Sequence, residues 1–384
     1  MNSFSTARRI LSFPEYPFAK IMKMKREIER EKRKPVLDLT IGTPTFPPSK
    51  EYVKKLNEYF LMDDAHLYPG FGAIPELEHA LITWYGKRFA VTLEKEEIYP
   101  LLGGKDGIAH IPLAILDEGD ELLVPNPGYP GFIGSTLMIG AIPVDYSVIG
   151  LTSSIISSIK KKTTAKTKAI WINSPGNPTG LTFSDDELKK LVDFALLRNI
   201  ILLYDNAYSE ITFDNYIAPS ILKFAGAKDI AIEIGSLSKT ASFAGFRIGW
   251  IVGNKKVISA VAKVKSQMDS GLTLPFQKLA AHTLNNFNDT WYKDMLIHYQ
   301  NNRDILARAF TSLGLDVVKP KGALYLWIRI PDSYKDANEY VTYLLQTYHV
   351  LVTPGTAFGA EGERYIRVSI SSDISKIKLY FKNI

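Results

Sequence analysis

Ala169-Ile170-Trp171-Ile172-Asn173, followed by Ser174-Pro175-Gly176-Asn177-Pro178-Thr179-Gly180, is the stretch that decides the fold. The first five residues read as a buried strand, and the next seven are dense in turn chemistry. Ser184 and Glu187 then make a capping box. Leu188, Leu191, Val192, Ala195 and Leu196 recur at helical spacing and give one apolar face. Ile200-Ile201-Leu202-Leu203-Tyr204 closes the unit as a second strand, a β-α-β with a right-handed crossover. Ligands of such sheets lie beyond the carboxyl ends of the strands. That rule gathers Asn177, Asp205, Tyr208 and Lys239 on one rim, although sequence distance alone does not suggest it.

Working outward, residues 100–250 alternate short apolar β-type runs with helical periods, the pattern of an α/β fold on a mainly parallel sheet with helices on both faces. A helical pattern from about Leu284 to Leu313, with Trp291, Met295, Tyr299, Leu306 and Phe310 near one stripe, is placed to bridge two lobes. Ala323 to Ile328 and Tyr365 to Ile370 read as strands of a smaller α+β lobe. The expected division is 48–283 for a large domain, and 1–47 with 284–384 for a small one.

Composition narrows the function classes. The 384 residues are 46% hydrophobic and 22% charged, ordinary values for a globular protein with a large core. No run approaches 18 uninterrupted apolar residues, and no secretory signal is visible at the N-terminus. The chain has no cysteine, which excludes disulfides and thiolate metal sites and fits a cytoplasmic protein. Its six histidines show no ligand spacing, so no metal is expected. The net charge of +6 raises the question of nucleic acid. The densest basic stretch, Lys20 to Lys34, is interleaved with Glu27, Glu29 and Glu31, the pattern of a salt-bridged helix face. Lys160-Lys161-Lys162 to Lys168 reads as a loop before a strand.

The chemistry concentrates elsewhere. In Ser236-Leu237-Ser238-Lys239-Thr240, followed by Gly245-Phe246-Arg247-Ile248-Gly249, a lysine sits among hydroxyls with an arginine eight residues on. This suits covalent attachment of an aldehyde cofactor to Lys239, with Ser236, Ser238 and Arg247 around its phosphate; pyridoxal phosphate needs both. Asp205 ends an apolar strand, where a carboxylate is costly unless paired. It reads either as the partner of a protonated pyridine nitrogen or as a helix cap. Tyr208 reads as a donor to the ring oxygen or as a core tyrosine. Gly103-Gly104-Lys105-Asp106-Gly107 precedes the helical run Ile108 to Leu116 and makes an anion site of backbone N–H groups. Tyr129 offers a face to stack on a ring, or packs a rigid turn. Arg367, inside an apolar strand pattern, grips a substrate α-carboxylate or makes a structural ion pair.

With those residues in view, the chain resembles the class I/II aminotransferases of pyridoxal-phosphate fold type I. The motifs run in the family's order: Ile41-Gly42-Thr43-Pro44, Tyr68 with Ile74-Pro75-Glu76-Leu77, Gly103-Gly104-Lys105, Asn177-Pro178-Thr179-Gly180, Asp205 to Tyr208, Ser236 to Lys239, Gly245 to Gly249, and Arg367. Gly104 to His110 and Val124 to Pro130 look closest to the LL-diaminopimelate aminotransferases. The resemblance implies a homodimer moving an amino group between an L-amino acid, aspartate- or diaminopimelate-type, and a 2-oxo acid such as 2-oxoglutarate. It makes Lys239 the attachment lysine and proton-moving base, and Asp205 the partner of the pyridine nitrogen. Tyr208 and Asn177 would bond the ring oxygen. Gly104, Lys105, Ser236, Ser238 and Arg247 would hold the phosphate, with Tyr68 reaching the neighbouring subunit's. Arg367, helped by Gly42 and Asn177, would clamp the α-carboxylate, and the Asn177–Pro178 bond would be cis.

Ala73 and Glu78 stand where the family usually has glycine and arginine, near the dimer-contact region. For a distal substrate carboxylate the sequence offers Arg8, Arg9 or Lys105, and for an apolar side chain Phe13, Tyr16, Phe71 and Tyr325. A β-lyase or a decarboxylating acyl-transferase of the same fold would use the same residues. A non-enzymatic effector sensor would need a DNA-binding module, for which no helix-turn-helix pattern is present.

Overall fold

The structure is a computed structural model that describes residues 7, 10, 11, 13, 18–32, 35–372 and 374–381. Strand β1 (Leu37–Asp38) opens the described strands. Seven more form the central sheet: β2 (Ile98–Leu101), β3 (Glu121–Asn126), β4 (Ile142–Ser147), β5 (Thr167–Asn173), β6 (Ile201–Asp205), β7 (Ala231–Ser236) and β8 (Gly249–Gly253). Their order is β2-β8-β7-β6-β5-β3-β4. Only β8 runs against its neighbours, pairing antiparallel with β7 and β2. The expected parallel α/β sheet is what the chain forms.

Alternation along the strands builds a core on each face, because successive side chains point to opposite sides. Ala169, Trp171 and Leu203 join one apolar cluster, while Ile170, Ile172, Leu202 and Tyr204 join another. Both faces are buried, which is why these strands read as nearly continuous apolar runs.

The deciding unit folds as its sequence indicates. The capping box at Ser184 forms, with Ser184 N donating to Glu187 Oε2 at 2.8 Å and Glu187 N to Ser184 Oγ at 3.4 Å. The helix Asp185–Arg198 buries Leu188, Leu191, Val192 and Ala195, and ends on Asn199 in the left-handed region at φ 54°. Leu196 departs from the expected apolar face and is 38% exposed, at the edge of the stripe.

A third apolar cluster is assembled from residues 36–39 and from the chain beyond Met295, with Tyr208, Ile211 and Phe213. It covers an antiparallel sheet in which β12 (Tyr365–Ser369) lies between β11 (Thr353–Pro354) and β9 (Tyr325–Arg329). β1 pairs in parallel with β10 (Val350–Leu351). β9 begins two residues later than expected, since Ala323 has φ 66° and cannot continue a strand. The pattern from Leu284 to Leu313 is two helices, not one. Leu274–Asn285 ends before a turn, and Asn288 caps Asp289–Ser312 by accepting from Trp291 N at 2.9 Å. Asparagine side chains compete for backbone groups and favour such a break. Trp291 packs against clusters of both lobes, so the second helix does bridge them.

Lys160, Lys161 and Lys162 are not in a loop; they form the last turn of the helix Thr152–Lys162, where cations complement the helix dipole. The first basic stretch is helical from Phe18 to Lys32, and Lys25 pairs with Asp38 at 3.0 Å. No helix among the described residues is long and apolar enough to cross a membrane.

Candidate active site

The carboxyl ends of β5, β6 and β7 meet at a cavity of about 600 Å³, closed on the other side by residues 40–43, Tyr325, Phe358 and Arg367. Lys239 enters it from the short helix Leu237–Thr240, which starts directly after β7. Its Nζ donates to Gly42 O at 2.8 Å and lies 5.5 Å from the centre of the Tyr208 ring. Burial, with Arg367 and Arg247 nearby and Asp205 opposing, lowers its ammonium to about 8. That is the direction a nucleophilic lysine requires.

Asp205 is the last residue of β6 and is buried; its Oδ1 accepts from Ala207 N at 3.2 Å. Burial raises its carboxyl to about 6, against the opposing Ala207 amide and Lys239. A carboxylate in that position is stabilised by any cation brought beside it. Tyr208 is buried three residues on, and its hydroxyl shares a 2.8 Å hydrogen bond with that of Tyr325. Burial, then Tyr325, raise its phenol well above the ordinary value.

Arg367 sits on the middle strand β12, buried. Its Nη1 donates to Asn177 Oδ1 at 2.9 Å and its Nη2 to Thr40 O at 2.5 Å. The guanidinium carbon lies 4.3 Å from the Tyr325 ring centre and 4.5 Å from that of Phe358. The backbone of Asn177 is tied to its own strand, its N donating to Asn173 Oδ1 at 2.7 Å; the Asn177–Pro178 bond is cis.

The third part of the cavity is an anion cradle. The helix Gly104–Ile115 starts four residues earlier than its apolar pattern, after Gly103 at φ 82°. A Cβ on Gly103 would lie 2.5 Å from Arg247 Nη2, so glycine is what lets the arginine close over the helix start. Arg247 reaches it from a left-handed φ of 57°, with Nη1 donating to Ala244 O at 2.8 Å. Ser238 Oγ is buried and finds no hydrogen-bond partner among the described residues. Ser236 is different: its hydroxyl donates to Ile248 O at 3.1 Å and accepts from Ser238 N at 3.1 Å. It caps the lysine's helix and lines the cavity with Ser238.

Lys105 and Tyr129 line the same cavity. Tyr68 does not; its side chain is 86% exposed. Arg8, Arg9 and Tyr16 lie outside the described residues. Phe71 is exposed, whereas Phe13 lines a second cavity of about 780 Å³ that shares Lys105, Ile108, Pro130 and Phe358 with the first.

Two organisers were not singled out by the sequence. Tyr325, read only as an apolar liner, touches Tyr208 and Arg367, and a Cβ on Gly42 would fall 1.9 Å from its hydroxyl. Asn173 bonds Asp205 O at 3.1 Å as well as Asn177, joining two strand ends. An asparagine ending an apolar strand was the available signal.

The sequence matches the family "Aminotransferase class I and II" over residues 34–380. The chain belongs to the class I and II aminotransferases. It is 38% identical over 369 residues to an LL-diaminopimelate aminotransferase of Dehalococcoides mccartyi, covering 95% of this chain and 94% of that one. A protein of the same name from Natranaerobius thermophilus is 36% identical over 99% of this chain and 98% of its own. Among solved structures, an aminotransferase from Staphylococcus aureus superposes with a TM-score of 0.87 at 28% identity, covering 97% and 96% of the two chains. A double mutant of Thermus thermophilus aspartate aminotransferase gives 0.91 at 25%, covering 99% and 98%. The fold is therefore that of the aspartate aminotransferases, and the enzyme is an aminotransferase that uses pyridoxal phosphate. The relatives' activity favours amino transfer over the lyase and sensor alternatives.

The residues present fit that cofactor. A buried serine hydroxyl without a partner among the described residues and a glycine turn closed by arginine suit a phosphate. A lysine lowered to about 8 suits an aldehyde, and a buried carboxyl raised to about 6 suits a protonated ring nitrogen.

Proposed function

We propose that this aminotransferase takes its amino group from an acidic or diaminopimelate-type L-amino acid, with 2-oxoglutarate as the companion acceptor. The observation that carries the assignment of roles is the convergence of Lys239, Asp205 and Arg367 on one cavity. Bound pyridoxal phosphate supplies an electron sink for the charge left when the substrate's Cα–H bond breaks. Lys239, its ammonium lowered to about 8, holds the attachment point and moves the Cα proton. Asp205 keeps the ring nitrogen protonated, and Tyr208 and Asn177 orient the ring oxygen. The amides of Gly104 and Lys105, with Ser236, Ser238 and Arg247, hold the phosphate. Tyr129 stacks on the ring. Arg367 grips the α-carboxylate, with the backbone at Gly42 and the amide of Asn177 beside it, and excludes donors that lack one.

The homodimer belongs to the same reading. Tyr68 is exposed and does not line the cavity, and Phe60, Leu61, Leu67 and Phe71 of the same segment are exposed. A cluster of this kind marks an interface. The division into a large domain, 48–283, and a small one is supported by the separate apolar cluster of residues 36–39 and the chain beyond Met295. The absence of cysteine supports a cytoplasmic setting.

The donor assignment rests on two supports. Relatives at 36–38% identity act as LL-diaminopimelate aminotransferases by name. Lys105 stands where the two cavities join, a cation placed for a distal carboxylate. A second reading has an observation of its own: the larger cavity is walled by Phe13, Met24, Ile108, Ile133, Met138 and Val341, which suits an apolar side chain. Single-turnover measurements over twenty amino acids and LL-diaminopimelate, read by loss of the bound cofactor's visible band, separate them. Acidic and diaminopimelate-type donors react fastest under the first reading. Aromatic or aliphatic donors faster by about a hundredfold, a difference of about 3 kcal/mol, would replace it with the second.

A further inference from the structure

Behind the glycine turn, away from the cavity, stands a buried ionic cluster for which amino transfer itself has no use. Lys265, 1% exposed at the end of the helix Lys255–Lys265, donates at 2.6 Å to Asp106 Oδ2 and at 2.6 Å to Asp269 Oδ2. Asp106 Oδ2 also accepts from Leu102 N at 2.8 Å, while its Oδ1 lies 2.6 Å from His110 Nδ1. On the far side, Asp269 Oδ1 accepts from Gly271 N at 2.8 Å.

The cluster bears on the phosphate cradle in two ways, and adjoins the segment after Tyr68 in a third. Asp106 lies in the first turn of the helix whose N-terminal amides face the cavity, so its charge repels any phosphate brought there. Burial raises its carboxyl, but the hydrogen bonds from His110, Lys265 and the Leu102 amide outweigh this and hold it below the ordinary value. It is therefore held as an anion, and Lys265, shared with Asp269, is the buried lysine set against it, with His110 on its other oxygen. By fixing Leu102 N, Asp106 also sets the entry to Gly103 and hence the direction of the Gly104 and Lys105 amides. Finally, Gly271, at φ 88°, presses on the segment after Tyr68, where a Cβ would come 2.7 Å from Gly70 O.

We propose that Lys265 is a positioning residue for the cofactor's phosphate: it neutralises Asp106 and holds the turn from Leu102 to Lys105 in its anion-receiving form. This rests on the assignment of Gly104 and Lys105 to the phosphate. It concerns the phosphate and not the ring, and that distinction makes it testable.

The apoenzyme is titrated with pyridoxal phosphate and with pyridoxal, which lacks the phosphate, reading quenching of tryptophan fluorescence. In Lys265→Met the Kd for pyridoxal phosphate rises about tenfold or more, while that for pyridoxal stays within about twofold. Lys265→Arg recovers most of the preference. The double variant Lys265→Met/Asp106→Asn also recovers it, because the repelling charge is gone. Should Lys265→Met not fold, Lys265→Gln is scored by the same ratio. A general loss of structure weakens both ligands alike and overturns the proposal, as does an unchanged ratio or a double variant no better than the single one. A wild-type enzyme with no preference for the phosphorylated ligand would instead overturn the cradle assignment itself.

Discussion

Asp205 shows how a single residue is kept in a costly state for function. Its carboxyl is raised from 3.8 to about 6 by burial, so the folded enzyme without cofactor binds that proton more tightly than the unfolded chain does. The penalty is absent below the unfolded value, grows as pH rises from 3.8 to about 6, and is complete above that. At about 1.4 kcal/mol per pH unit the shift is worth about 3 kcal/mol. Asp205→Asn should therefore stabilise the apoenzyme above pH ~7 by an amount of that order and change little near pH ~4, while turnover falls at least about a hundredfold. Thermal melts at the two pH values check the first part; a variant no more stable than wild type at the higher pH contradicts it. The roles proposed for the two arginines predict a division of labour. Arg367→Ala should impair every amino-acid donor with cofactor binding nearly intact, and Arg247→Ala should chiefly release cofactor. Leaving a buried anion unpaired costs on the order of 2–5 kcal/mol. Near-normal turnover of all donors by Arg367→Ala would show that the carboxylate is held elsewhere.

At the scale of elements, the site is made of strand ends and the turns that follow them, and this governs how much of it was legible. The run Ala169–Tyr204 was readable because period, capping box and turn residues agree with one another. Lys239, Asp205 and Asn177 follow from it, since all lie at or just past the carboxyl ends of neighbouring strands. What escaped depends on contacts made across lobes. Tyr325 reads as one more apolar strand residue until β9 places its hydroxyl against Tyr208 and its ring under Arg367. The break at residues 286–288 was hidden because apolar periodicity continues across it, and only the Asn288 cap marks it. Gly103 is the element-scale test. Alanine there meets both a left-handed φ of 82° and the Arg247 guanidinium at 2.5 Å. Gly103→Ala should cost about 1–3 kcal/mol in stability and weaken binding of pyridoxal phosphate more than of pyridoxal. Equal affinity of variant and wild type for both ligands would remove Gly103 from the cradle.

At the scale of the whole molecule, the proposed homodimer rests on one exposed segment. Tyr68, 86% exposed, follows directly on Leu67, 56% exposed, and precedes Phe71, 63% exposed. Leaving so much apolar surface in water is unfavourable for a monomer and ordinary for one half of an interface. In the proposed homodimer, closed two-fold symmetry makes any such contact reciprocal, so Tyr68 of each subunit would serve the other's site. Complementation between two damaged subunits tests this directly. Lys239→Ala homodimers have no attachment lysine, and Tyr68→Ala homodimers lack the exchanged phenol in both sites. In a mixed dimer the damage falls together: one site lacks both residues and the other has Lys239 from its own chain and Tyr68 from its neighbour. Random reassociation of equal amounts places half of all chains in mixed dimers, each with one intact site, so activity should reach about a quarter of wild type. Unmixed blends of the two variants should show only the residual activity of the Tyr68→Ala enzyme. If reassociated blends never exceed that residual, Tyr68 acts within its own subunit or not at all, and the two sites of the dimer are independent.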